Sequence, residues 1–195
     1  IDDVREAEKI LVTEFTQTLY SIANDVYLTF KFNPDVVKEY RLIGYDNKKN
    51  VLSEQSDELE GGEIGAGTGN TSVFEIVPAQ RGDTLAHMDQ ILGKLALHYK
   101  LPRDTTKRIL KYDCLNNYSS FNKINNNLRF ASAVCMFGLK LRESKYFPQD
   151  VAWSTIKSIA TDAAMQNDYL QNEFISLLGK TDTIYYEKKK KRRKR

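Results

Sequence analysis

The sequence predicts an α+β protein: an antiparallel sheet or small β-sandwich of about five strands, preceded by one helix and followed by three. Three observations predict it. Apolar residues recur every three or four positions over residues 2–25, alternate with polar ones in five short runs between 26 and 115, and return to a 3.6-residue period from about 125. The two kinds of pattern are segregated along the chain, which argues against a wound parallel βαβ sheet. The strand-like runs are joined by hairpin-length links, which favour antiparallel pairing.

The opening helix is expected over 2–25, with Val4, Ala7, Leu11, Phe15, Leu19, Ile22 and Val26 on one stripe and Asp2 or Asp3 as its cap. The first strand is read in VYLTFKFNP, where Val26, Leu28, Phe30 and Phe32 alternate with Tyr27, Thr29, Lys31 and Asn33, and Pro34 ends it. EYRLIGYD (39–46) predicts a second strand, with Tyr40 and Leu42 on one face. An acid-rich loop follows over 46–63. NTSVFEIVP (70–78) predicts a third strand, and RGDTLAHMDQILG (81–93) an irregular link. KLALHYKLP (94–102) and KRILKYDCL (107–115) predict a fourth and fifth, joined as a hairpin through PRDTT.

Beyond them, Leu128, Ala131, Val134, Cys135, Leu139 and Arg142 mark a helix capped by the asparagines at 125–127. A second helix is expected over 148–164, with Asp150 at its start and Val151, Ile156, Ile159, Ala160 and Ala163 buried. A third is expected over 167–179, with Asn167 as cap, Leu170, Phe174, Leu177 and Leu178 inward, and Gly179 ending it. The expected organisation is therefore a helix (1–25), a β-sandwich (26–118), a helical part (119–187) and a disordered basic tail (188–195).

The charge balance hides an asymmetry. The last eight residues, KKKKRRKR, are all basic; removing them from the 29 Lys and Arg leaves 21 against 26 Asp and Glu, so the body is mildly acidic. Such a tail offers a weak contact to nucleic acid or an anionic membrane surface. It lacks the interleaved aromatics on which single-stranded bases stack, and no nucleic-acid partner is expected. Nothing in the sequence reaches the roughly 18 apolar residues that span a bilayer. The chain opens without a signal peptide and already inside a helical pattern, so we read it as a piece of a longer protein.

Several motifs bear on chemistry. In GGEIGAGTGNTSVFEIV (61–77), Gly62 and Gly67 have Walker-loop separation, but Thr68 stands where the lysine belongs. Gly65, Gly67 and Gly69 alternate instead of forming G-x-G-x-x-G, and Glu60 and Glu63 would repel a phosphate. The run therefore predicts a glycine turn or bulge, where backbone takes positive φ or approaches a neighbouring strand closely. His87 and Asp89 form a lone pair, below what a metal site needs, and His98 is expected half-exposed on a strand face. The acidic residues Asp46, Glu54, Asp57, Glu58, Glu60 and Glu63 lack the spacing of a calcium loop. Cys114 and Cys135 are neither a C-x-x-C pair nor close to clustered histidines, and are expected as separate buried thiols. No catalytic, cofactor-binding or metal-ligating residue is assigned, and the chain is expected not to be an enzyme. A hydrolase using the acidic loop with His87 or His98 is the weaker alternative.

Taken together, EAEKILVTEFTQTLYSIANDVYLTFKFNP, YRLIGYDN, GEIGAGTGNTSVFEIVP, LALHYKLP and NLRFASAVCMFGLKLRESKY resemble the region that follows the von Willebrand factor A domain in bacterial proteins of the YfbK type. The resemblance runs from about residue 2 to 179, with YRLIGY and GEIGAG as its most specific blocks. It implies that the opening helix is the last helix of an upstream A domain and that a β-sandwich and a helical part follow. The chain departs from the pattern in having Thr68-Gly69-Asn70 where a histidine-containing link is usual, and in its basic tail. The A domain's D-x-S-x-S metal motif is absent, so the resemblance carries no metal ligand onto these residues; a divalent cation would bind in the A domain. What it implies is a setting: a scaffold or interaction module of the cell envelope, outside the cytoplasm, packed on an A domain and binding a protein partner.

Overall fold

The computed structural model describes Val4, Ala7, Leu11, Phe15, residues 20–44, 61–67, 69–79 and 90–192, the last stretch without the side chains of residue 182 and of 186–192. The chain divides into two compact units, Ile1–Tyr118 and Ser119–Arg195. Mixed α+β architecture holds as expected, with antiparallel sheets in the first unit and three helices in the second.

Among the described residues the first unit contains six strands: β1 (Ser21–Phe32), β2 (Val37–Leu42), β3 (Gly62–Gly65), β4 (Phe74–Pro78), β5 (Ile91–Lys100) and β6 (Arg108–Leu115). Four form one sheet in the order β3-β1-β5-β6, and β2 pairs with β4 in a second. Every pairing is antiparallel. The register places Leu28 opposite Leu97 and Phe30 opposite Leu95, and on the other side Leu95 opposite Tyr112 and Leu97 opposite Leu110. These residues share one face, because side chains directly opposite in a ladder point the same way. On that face Phe30 and Phe32 meet Phe74 of β4 at 5.7 and 5.3 Å between ring centroids, and Phe32 meets Tyr40 of β2 at 4.4 Å. The two sheets thus pack through an aromatic layer, a small sandwich as the alternation predicted. At the turn from β1 to β2, Asn33 accepts from the Val36 and Val37 backbone N–H groups at 3.1 and 2.9 Å. Its side chain donates to the Ile91 carbonyl at 2.9 Å. Pro34 ends β1 as expected, and Val36 and Val37 are buried just beyond it.

Several boundaries differ from the sequence expectation, among them the start of β5 at Ile91, inside the link expected over 81–93. Val4, Ala7 and Phe15 are helical and Leu11 lies in a wider helical turn, but the chain is already a strand at Ser21, inside the stretch assigned to the opening helix. Ile22 and Val26 are four residues apart, a spacing that suits period two as well as period 3.6. Pairing on both sides decides between them: Ser21 faces Gly65 of β3 and Asn24 faces Lys100 of β5. The glycine run supplies a strand of its own, β3, which the period-two search misses because glycine has no side chain to alternate. The second strand lies at 37–42 instead of 39–46, and the third begins only at Phe74.

The second unit contains α1 (Asn126–Leu141), α2 (Trp153–Ala163) and α3 (Tyr169–Arg192). Asn125 caps α1, its side chain accepting from Leu128 N–H at 2.9 Å, as the asparagine run predicted. Asp168, not Asn167, caps α3, accepting from Gln171 N–H at 3.0 Å. α2 starts at Trp153, three residues past Asp150 and without a side-chain cap. Ala133, Trp153, Ile156, Ala160 and Leu178 form the core, ringed by Phe130, Phe137, Phe174 and Tyr185. Phe137 touches both Trp153 and Phe174 edge to face, at 5.7 and 5.4 Å. Ile156, Ala160 and Ala163 are buried as expected, whereas Leu128, Val134, Leu170 and Leu177 are exposed: the buried faces of α1 and α3 are turned toward Ala133 and Leu178. Gly179 does not end α3. It faces the flexible end of Lys157 of α2, where a β-carbon would lie 3.3 Å from the lysine Nζ. The helix continues past Thr181, which is buried and bonds back to the Leu177 carbonyl at 2.8 Å, and takes in residues 188–192 of the basic tail.

Candidate interaction surface

Asp25 is held by its backbone and by its side chain. Its φ is +54°, a left-handed conformation that Asp tolerates better than most side chains. It sits at a bulge where the β1 register shifts against both neighbours. There its carboxylate accepts from Gly61 N–H at 2.9 Å and pairs with Lys100 Nζ at 2.8 Å, tying β3, β1 and β5 together. The Lys100 ammonium, then the Gly61 N–H, holds the carboxyl below its ordinary value. Gly61 comes so close that no other residue fits: a β-carbon there would lie 2.2 Å from the Asp25 carbonyl carbon. Gly67 follows with φ +76°. The glycine run is therefore a backbone device, an edge strand entered by close approach and left by a left-handed turn. Thr68 lies outside the described residues.

Among the described residues the other sequence candidates lie on separate elements. His98 stacks on Tyr27 at 4.4 Å and 7°, half-buried on the sheet's second face, with Nε2 3.4 Å from Thr29 Oγ1. His87, Asp89 and residues 46–60 of the acidic loop lie outside the described residues. Cys114 on β6 and Cys135 on α1 are free thiols, each half-buried, not fully as expected. Burial pushes the Cys135 thiol up. Asp104, in the β5–β6 hairpin, is held below its ordinary value by the Thr106 backbone N–H, the Thr106 hydroxyl and Arg108. Among the described residues, no three of His, Cys, Asp and Glu gather as a metal cluster. In the helical unit an open groove of about 410 Å³ is lined by Ser154, Lys157, Ser158, Thr161, Asp162 and Gly179. None of the residues with a shifted pKa lines it.

Exposed apolar surface is the more distinctive feature. The two-stranded sheet covers only about two strands' width, roughly 10 Å at the usual strand spacing, of a four-stranded partner. Its aromatics meet β1, and the far side of the same face stays open: Leu28, Leu110 and Tyr112 are all exposed. Along the N-terminal helical segment Val4 and Leu11 are exposed too, although their spacing is that of a buried stripe. The sequence pattern identified β6 as a strand. How far the second sheet reaches over it is a tertiary outcome with no local signal.

The comparisons with known proteins agree with the blocks of sequence noted above. A family described as "Uncharacterized protein YfbK, C-terminal" matches residues 17–184. The chain is 31% identical to "Uncharacterized protein YfbK" of Escherichia coli (strain K12), over 94% of this chain and 34% of that protein. It thus spans about a third of the length of the relative it matches. No solved structure matches it. A match over most of the chain, embracing both the sandwich and the three helices, places this chain in the YfbK C-terminal family.

Proposed function

We propose that the chain is a non-catalytic interaction module, packed against a von Willebrand factor A domain in a protein of the bacterial cell envelope. The observation that carries this reading is the N-terminal stripe. Val4 is 81% and Leu11 60% exposed, on a helical face whose spacing is built for burial. An A domain supplying the covering layer accounts for such a face, and the relative, of which this chain matches 34%, has room for one. The envelope setting rests on the resemblance described above. The separation of the titratable groups among the described residues and the open groove favour binding over turnover, because catalysis draws on converging groups in an enclosed site.

The test is thiol labelling of Leu11→Cys, in a background with Cys114 and Cys135 replaced by serine. The chain is compared with the full-length protein. Labelling is expected to slow by at least about tenfold in the full-length protein, where packing must open before the thiol reacts. Equal rates would remove the docking reading. Substrate turnover lost on His98→Ala would overturn the non-catalytic part, and recovery of the full-length protein in the cytosolic fraction alone would overturn the location.

A further inference from the structure

We propose that β6 is a self-pairing edge, joining two copies of this chain through an antiparallel β6–β6 contact that extends each four-stranded sheet into one of eight. The strand has the properties of a pairing template. It is the terminal strand of the sheet order, opposite the short edge strand β3, and is eight residues long. Its apolar residues are open to solvent: Ile109 50%, Leu110 58%, Tyr112 69% and Leu115 54% exposed. A long, apolar, uncovered edge presents unpaired N–H and C=O groups to another strand.

The side chains select a second copy as the occupant, and they select one register. A two-fold axis perpendicular to the sheet keeps the faces matched, so that Leu110, Tyr112 and Cys114 of both copies continue one apolar face. With the axis at Tyr112, the two tyrosines are opposed, Leu110 faces Cys114 of the other copy and Ile109 faces Leu115. Lys111 then faces Asp113 of the other copy, twice by symmetry. Opposite charges directly across a ladder stabilise it and like charges destabilise it. The neighbouring matched registers fail this criterion: centring on Lys111 opposes the two lysines and sets Ile109 against Asp113, while centring on Asp113 opposes the two aspartates. The two neighbouring registers that mismatch the faces set Tyr112 against Lys111 or against Asp113. Within one copy Asp113 already lies opposite Lys94 of β5, so in the dimer each Asp113 sits between two lysines. An edge bearing lysines alone would resist pairing; this one carries a charge pattern complementary to its own reverse.

The experiment is sedimentation equilibrium of the whole chain, with circular dichroism to confirm folding of each variant. A single strand edge is a small interface, so a dissociation constant of about 10–100 µM is expected. Lys111→Asp and Asp113→Lys each set like charges in opposition, and each should weaken the dimer by at least about tenfold, or about 1.4 kcal/mol. The double exchange K111D/D113K restores opposite charges and should return the constant to within about threefold of the original. Register is checked by Tyr112→Cys with Cys114 and Cys135 replaced by serine. Opposed Cα atoms in an antiparallel ladder lie about 4.5–5.5 Å apart, within disulfide reach, so mild oxidation should give a covalent dimer. A chain that stays monomeric at about 300 µM, well above that range, overturns the proposal. So does a dimer indifferent to all three charge variants, which uses another surface, and so does failure of the Tyr112→Cys variant to cross-link. If Leu110→Cys is shielded from labelling in a monomer, the chain's own residues cover the edge and the proposal falls as well.

Discussion

Replacing Gly61 by alanine should detach β3 from β1. The added β-carbon would lie 2.2 Å from the Asp25 carbonyl carbon, 2.3 Å from the Val26 nitrogen and 2.7 Å from the Asp25 carbonyl oxygen. Comfortable carbon contacts begin near 3.5 Å, so the backbones must part by more than about 1 Å. All three atoms belong to the main chain, and no rotamer change relieves the clash. Moving β3 away stretches the 2.9 Å bond from Gly61 N–H to the Asp25 carboxylate and disturbs the Val26–Gly62 pair. Overpacking alone costs about 1–3 kcal/mol. The neighbouring glycines are internal controls. A β-carbon at Gly62 meets nothing within 4 Å. Gly62→Ala should therefore be neutral, or stabilising by up to about 1 kcal/mol through the unfolded chain. Gly67→Ala, at φ +76°, should cost about 1 kcal/mol, the penalty of a left-handed alanine. The assay is urea unfolding followed by circular dichroism, with hydrogen exchange at the β1 and β3 amides to locate the change. Trp153, the single tryptophan, lies in the helical unit and reports that unit separately by fluorescence. If Gly61→Ala unfolds at the same urea concentration as the parent, or no earlier than Gly62→Ala, the close approach of β3 to β1 is refuted.

Two further predictions concern the helices and the carboxylates. Gly179→Ala should stabilise the helical unit by about 0.5–1 kcal/mol, since the position lies within α3 and its nearest neighbour is the flexible end of Lys157. A lowered urea midpoint by Trp153 fluorescence would instead mean that the helix needs glycine there. Asp25 and Asp104 both sit below their ordinary value of 3.8 in the folded chain. The stabilisation they contribute is fully present above that value and lost as pH falls below it toward the lowered pKa values. The urea midpoint should thus be insensitive to these groups between about pH 5 and 7 and fall below about pH 4. Asp25→Asn with Asp104→Asn should flatten the acid limb, and an unchanged acid limb would refute their role.

Local chemistry makes much of this fold legible in the sequence. Pro34 ends β1 because it fixes φ and lacks a ladder donor. Asn125 starts α1 because its side chain satisfies a helix N–H. The β5–β6 hairpin follows from two alternating runs joined by a short polar link, and its tight turn is held by Asp104 accepting from Thr106 N–H at 2.9 Å. The glycine run was legible as a backbone device, since a phosphate cradle needs a lysine and a following helix that are missing. That the same run forms a strand was not legible, because alternation is carried by side chains and glycine has none.

What the sequence determined by itself depends on neighbours along the chain: the α+β class, the Asn125 cap, the stop at Pro34, the β5–β6 hairpin, and the absence of a phosphate motif at 61–77. Tertiary structure alone decided the rest. It made Ile22 and Val26 strand residues, because their spacing fits both periods and pairing with β3 and β5 broke the tie. It carried α3 through Gly179, because buried Leu178 and Thr181 on either side outweigh a glycine's weak helix propensity. And it left β6 open, because a two-stranded sheet cannot cover a four-stranded one, and the width of a sheet is a property of the assembled layers that no stretch of sequence encodes.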